Sequence, residues 1–208
     1  MLELVIHAVI TLLVVVDPIG LAPIFAALAA DRGDAEKKHI ARVGVLVAAG
    51  VLFLFALLGK PALAAIGVSL AAFRVAGGVL LFLVAIDMVF GRQLGLHSTT
   101  RKEDAEASQR PDIAVFPLGI PLIAGPGAIA SVMLLMGEAA PSWGREVAVL
   151  TVLALVLGLT YVLLESATRV VRLLGVIGVT VVGRVLGVVL ASLAAQFILD
   201  GLRSAFAG

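Results

Sequence analysis

Apolar residues run along this chain in long stretches with few polar interruptions. They do not fall into the stripe, repeating about every 3.6 residues, of a helix with one wet face. A bilayer crossing takes about 20 mainly apolar residues. Six stretches meet that length: 4–30, 43–59, 66–90, 113–137, 147–164 and 174–199. The second and third are separated only by a short turn expected around Lys60 and Pro61. The one long polar stretch, 91–112, mixes Arg92, Arg101, Lys102, Glu103, Asp104, Glu106 and Arg110. Mixed charge of this kind marks a solvated linker. The pattern predicts an all-α membrane protein of six transmembrane helices. A three-helix unit over 1–90, a cytoplasmic linker over 91–112 and a second three-helix unit over 113–208 make up the chain.

Composition narrows the function classes. Hydrophobic residues are 62% of the 208, charged residues only 14%, and mean hydropathy is +1.18. Soluble domains carry about 25% charge, so a soluble enzyme, a disordered chain and a basic nucleic-acid binder are all excluded. There is no cysteine, and His7, His39 and His97 lie too far apart in sequence for ligand spacing. No metal centre or cofactor is therefore expected. The start, Met1-Leu2-Glu3, lacks a basic leader region, so the first apolar stretch reads as a retained helix.

With six crossings, Lys60, Arg145 and Arg203 fall on the side of the termini. Arg32, Lys37, Lys38, Arg42, Arg92, Arg101, Lys102, Arg110, Arg169 and Arg172 fall on the other. Cytoplasmic loops collect Lys and Arg. Both termini are therefore expected to face outward, with the charged loops in the cytoplasm.

The two halves resemble each other. Arg74-Val75-Ala76-Gly77-Gly78-Val79-Leu80 aligns without gaps with Arg184-Val185-Leu186-Gly187-Val188-Val189-Leu190, 110 positions later. Leu83, Ala85 and Gly91 continue that register as Leu193, Ala195 and Gly201. Pro18-Ile19-Gly20-Leu21-Ala22-Pro23 aligns with Pro121-Leu122-Ile123-Ala124-Gly125-Pro126. Three crossings per half force the second half to enter from the opposite face, giving inverted repeats like those of many secondary transporters.

Helices 1 and 4 are expected to be broken in mid-membrane. Proline removes a backbone donor and clashes with the turn before it. Pro18 and Pro23 flank Gly20, and Asp17-Pro18 has the form of an N-cap followed by the first residue of a new half-helix. In the fourth stretch, Pro117, Gly119, Pro121, Gly125, Pro126 and Gly127 crowd eleven residues. Unpaired backbone in hydrocarbon costs several kcal/mol and survives only against protein or a water-filled cavity. Half-helix N-termini suit an anionic group, and freed carbonyls suit a cation. Asp17, Pro18, Gly20, Pro23, Gly119, Pro121, Gly125, Pro126 and Gly127 are the candidate substrate-binding positions. A carboxylate at this depth costs roughly 2.5–3.5 kcal/mol. Asp17 could cap the half-helix, meet an ammonium or cation, or carry a coupling proton.

Arg74 and Arg184 are candidate gating or counter-charges, with a static ion pair or snorkelling as the alternative. Asp87 is expected at the cytoplasmic interface. Ser131, Ser192 and Gln196 could line a cavity or bond between helices. Gly77-Gly78 and the Gly183-x-x-x-Gly187 pair are expected to bring helices close.

Three of these segments resemble the motifs of the MarC family of bacterial and archaeal inner-membrane proteins, in order along nearly the whole chain. They are Val16 to Phe25 in the first helix, Ala72 to Gly78 in the third, and Pro117 to Pro121 with Ala124 to Gly127 in the fourth. The resemblance implies a six-helix member of the LysE-like transporter superfamily, similar to carriers of small neutral amino acids driven by a proton or sodium gradient. Its expected partners are a small zwitterionic substrate, the bilayer and, where it self-associates, further copies of the chain. An intramembrane enzyme is disfavoured, since no G-x-S-x-G, H-E-x-x-H or C-x-x-C occurs. The alternative is an uncoupled channel or a structural or lipid-handling membrane protein.

Overall fold

The computed structural model describes residues 1–90 and 113–206, so the linker at 91–112 lies outside the described residues. All regular structure in the described residues is helical: α1 (Leu2–Val16), α2 (Pro18–Leu28), α3 (Asp34–Ala65), α4 (Leu70–Phe90), α5 (Ala114–Ile123), α6 (Pro126–Ala139), α7 (Trp143–Glu165) and α8 (Ala167–Phe206). Five helical units are long and apolar enough to cross a membrane, the first of them α1 and α2 together. The pair α5–α6, bent by 54°, passes the same test only when taken together, and brings the number to six if it is one broken span.

Two boundaries differ from the hydrophobic pattern. The turn expected at Lys60-Pro61 is absent, and α3 continues to Ala65. Asp34 and Glu36 in its first turn favour an early start against the helix dipole. Pro61 sits in an exposed last stretch, where one missing donor is tolerated. The reversal falls instead at 66–69, where Gly67 takes φ +74. In α8, Gly175 (φ 63, ψ 173) sets the stretch 167–174 apart from the apolar span Ile177–Phe206.

Lipid tails are as apolar as leucine, so helices here associate through close packing rather than burial from water. The glycines show how. A Cβ on Gly78 of α4 would lie 2.8 Å from the Ala194 carbonyl oxygen of α8, and one on Gly187 would lie 3.1 Å from the Val89 backbone nitrogen. A Cβ on Gly201 would sit 2.9 Å from the Ala71 carbonyl oxygen. Helices α4 and α8 therefore pack antiparallel, backbone against backbone. A Cβ on Gly183 would meet nothing within 4 Å among the described residues, where Gly187 is the member of the expected glycine pair that serves packing.

Helix α6 is the hub. Ala128, Val132, Leu134 and Leu135 are fully buried, and it touches α1, α3, α4 and α7. Leu155, Val162, Leu173 and Ile177 point outward, as lipid-facing residues must. Asp87, expected at the interface, is buried within the protein.

Candidate functional site

The first break is built from four residues. Pro18 cannot donate to the Val14 carbonyl, so α1 stops at Val16. Asp17 adopts the left-handed conformation (φ 46, ψ 64), while its own N–H still reaches the Leu13 carbonyl at 3.0 Å. Its carboxylate then folds forward, and Oδ1 accepts the Gly20 N–H at 3.0 Å. A Cβ on residue 20 would overlap that carboxylate, which is why glycine stands there. Pro18 occupies the first helical position of α2, and Pro23 leaves the Ile19 carbonyl without its helical donor.

The second break is longer. Residues before proline are pushed out of the helical region. Phe116 (φ −132, ψ 123) and Ile120 (φ −134, ψ 126) are accordingly extended inside α5. The hydrogen bonds that remain reach back five residues, from Leu118 N to Ile113 O and from Ala124 N to Gly119 O. Gly119 lets this irregular segment lie against α3, where its Cβ would meet the Gly44 carbonyl oxygen at 3.1 Å. Pro126 then opens α6 behind Gly125 (φ −77, ψ 169).

The fold brings the two breaks together. A Cβ on Gly127, in the first turn of α6, would lie 3.6 Å from Val15, two residues before Asp17, and 3.0 Å from Leu81 of α4. Pro18, Gly119, Gly125 and Gly127 are buried, Asp17, Gly20, Pro23 and Pro121 are half-buried, and Pro126 is exposed. The two half-helix N-termini are not equivalent. That of α2 is closed by the Asp17 carboxylate, whereas that of α6 has no side-chain cap, and Gly127 and Ala128 in its first turn are buried. The first N–H groups of a helix have no intrahelical partner. Helix α6 therefore presents a bare positive end, and α2 presents a carboxylate. Further along the same helices, Thr11 on α1 and Ser131 on α6 are fully buried, and their hydroxyls have no hydrogen-bond partner among the described residues. Buried hydroxyls of this kind are normally satisfied by water or a ligand.

The two arginines part company. Arg74 is 18% exposed and lies 3.7 Å from Glu138 Oε1, and His7 Nδ1 lies 3.4 Å from the other oxygen of the same carboxylate. One carboxylate on α6 thus ties α1 and α4 together at the end of the bundle that holds Met1. Arg184 sits toward the opposite end of the α4–α8 pair, is exposed, and has no ion-pair partner among the described residues. Ser192 bonds back to the Val188 carbonyl, and Gln196 donates to Asp200 at 2.9 Å. Both bonds stay local to α8, and both residues are exposed.

The sequence model of the MarC family integral membrane proteins matches residues 2–206. The chain belongs to the MarC family. It is 38% identical over 192 residues to a UPF0056 membrane protein of Methanocaldococcus jannaschii, covering 92% of each chain. It is 33% identical over 206 residues to the UPF0056 membrane protein YvbG of Bacillus subtilis, covering 99% of this chain and 97% of that one. The corresponding protein YhcE of Escherichia coli is 32% identical over 199 residues, covering 96% and 92%. No solved structure matches.

Three polar residues of this MarC chain escaped the sequence reading. Glu138 directly follows the fourth apolar stretch, so it reads as loop, and its ion partners come from distant helices. His7 stands alone in an apolar run, and its partner Glu138 lies far along the chain. Thr11 sits in an apolar run where one hydroxyl gives no periodic signal. Among the described residues no cluster of three His, Asp or Glu side chains is placed to hold a metal ion.

Proposed function

We propose that this MarC-family protein is a secondary transporter of a small zwitterion, such as a small neutral amino acid, across the inner membrane. The observation that carries this reading is the pairing of the two breaks: the bare N-terminal turn of α6 beside the end of α1, with Asp17 at the adjoining break. A substrate carboxylate fits the N–H groups and dipole of α6. Because Asp17 already fills the N-terminus of α2, the substrate anion has one such end, not two. Its ammonium fits the Asp17 carboxylate by a charge-assisted hydrogen bond. The orphan hydroxyls of Thr11 and Ser131 supply further polar contacts.

An inverted-repeat architecture accompanies this reading. Met88 packs on Gly187 and Ile198 packs on Gly78. These four positions follow the 110-residue register of the repeat to within one residue. A two-fold axis in the membrane plane exchanges such contacts. Proton or sodium coupling, with both termini outside, completes the proposal.

Purified protein in liposomes, given labelled glycine or alanine, tests it. Uptake above empty liposomes that follows an imposed proton or sodium gradient is expected. Flux that ignores both gradients makes the protein a channel, and no uptake across a panel of amino acids removes the transporter reading.

A further inference from the structure

At the end of the bundle opposite Met1, where α2, α3, α7 and α8 meet, lies a cavity of about 610 Å³. None of the candidate substrate-binding positions at the two breaks lines it. Four cations line it: Lys37 and Lys38 from α3, Arg169 and Arg172 from α8. Two acids accompany them, Asp34 and Glu165. Glu165 is taken by Lys38, whose Nζ lies 2.8 Å from Oε1. Asp34 is the first residue of α3, where the helix dipole favours a negative charge. Lys37, Arg169 and Arg172 have no carboxylate partner among the described residues. The cavity therefore carries four cations against two acids, a net charge of +2, with Lys37, Arg169 and Arg172 in no ion pair among the described residues and the hydroxyls of Ser166 and Thr168 in the same lining. Guanidinium groups, planar and five-fold donors, match phosphate oxygens in pairs.

The surroundings choose the source of that phosphate. The apolar part of the lining is Phe25, Ala26, Ala29 and Leu164, at the ends of two membrane spans. One residue past Arg172, Leu173 is 86% exposed, and Ile177 beyond the Gly175 break is 81% exposed. Side chains so apolar and so bare belong in acyl chains. The stretch 167–174 thus lies at the edge of the bilayer, its arginines at headgroup depth and its leucines below. Basic pockets between spans at this depth hold anionic headgroups.

We infer that the Lys37–Arg169–Arg172 cavity binds the phosphodiester headgroup of an anionic phospholipid. The full-length protein, stripped of lipid in a neutral detergent, is titrated with phosphatidylglycerol or phosphatidylcholine, and retained lipid is counted by native mass spectrometry. Phosphatidylglycerol is expected to be retained in preference. Each cation near a membrane surface contributes about fivefold, so R169Q/R172Q should weaken retention about 25-fold. R169K/R172K, which keeps both charges, retains most of it. Arg203→Gln, at the far end of α8, leaves it unchanged. Equal retention of the two lipids, or a phosphatidylglycerol affinity untouched by R169Q/R172Q, overturns the inference. So does inorganic phosphate that displaces phosphatidylglycerol at comparable concentration, because the cavity would then serve a soluble anion.

Discussion

Substitutions at Asp17 separate the geometry of the first break from its charge. Asp17 does two structural jobs: it holds φ 46 and it accepts the Gly20 N–H at 3.0 Å. Asparagine can do both, since it tolerates the left-handed region and offers the same oxygen. Asp17→Asn should therefore unfold within about 0.5 kcal/mol of the wild type, the ordinary range for a change that breaks no contact. Asp17→Gly keeps the backbone but loses the acceptor, a cost of a few tenths of a kcal/mol at a helix N-cap. Asp17→Ala loses the acceptor, about 1 kcal/mol, and places a β-carbon in the left-handed region, about 1 kcal/mol more. The order of stability is Asn, Gly, Ala, with alanine about 2 kcal/mol down. That figure assumes water or substrate reaches Gly20 in the alanine variant. In dry hydrocarbon the bare N–H alone costs several kcal/mol. Equilibrium denaturant unfolding in micelles, followed by circular dichroism, reads the difference. An asparagine variant as unstable as alanine would refute the capping geometry. An alanine variant far beyond 2 kcal/mol would mean that no cavity opens at the break. If the carboxylate serves the substrate, Asp17→Asn folds normally and loses gradient-driven uptake.

Two glycines of α8 and α4 should behave oppositely. Gly78→Val drives its β-carbon toward the Ala194 carbonyl at 2.8 Å and the Ile198 nitrogen at 3.1 Å, and should cost about 1–3 kcal/mol in thermal unfolding. Gly183→Ala meets nothing within 4 Å among the described residues and should gain up to about 1 kcal/mol from helix propensity. Glu138→Gln removes the charge shared by His7 and Arg74. A double-mutant cycle with Arg74→Gln should give a coupling of about 0.5–3 kcal/mol, and strict additivity would show the contact to be idle. Lys38→Gln breaks the exposed pair with Glu165. It should leave stability nearly unchanged, and raising the salt should shrink any difference further.

Sequence alone determined the solvent. A chain 62% hydrophobic with 14% charge and apolar stretches of bilayer length must be a helical membrane protein, since only internally bonded backbone survives in lipid. It also located both breaks, because proline and glycine act on the backbone locally. Asp17–Pro18 and Pro117–Gly127 interrupt helices whatever surrounds them. Helix ends were less legible: α3 passes through Pro61, since an exposed last turn forgives a missing donor. Tertiary structure decided the pairings. That the α6 N-terminus stays bare while Asp17 closes α2 depends on one side-chain rotamer folding over Gly20. That Arg74 finds Glu138 and His7 while Arg184 faces outward depends on which helices lie alongside. Two arginines in matching motifs carry the same local signal. Charge acts through space, so residues distant along the chain determine which of the two finds a partner among the described residues.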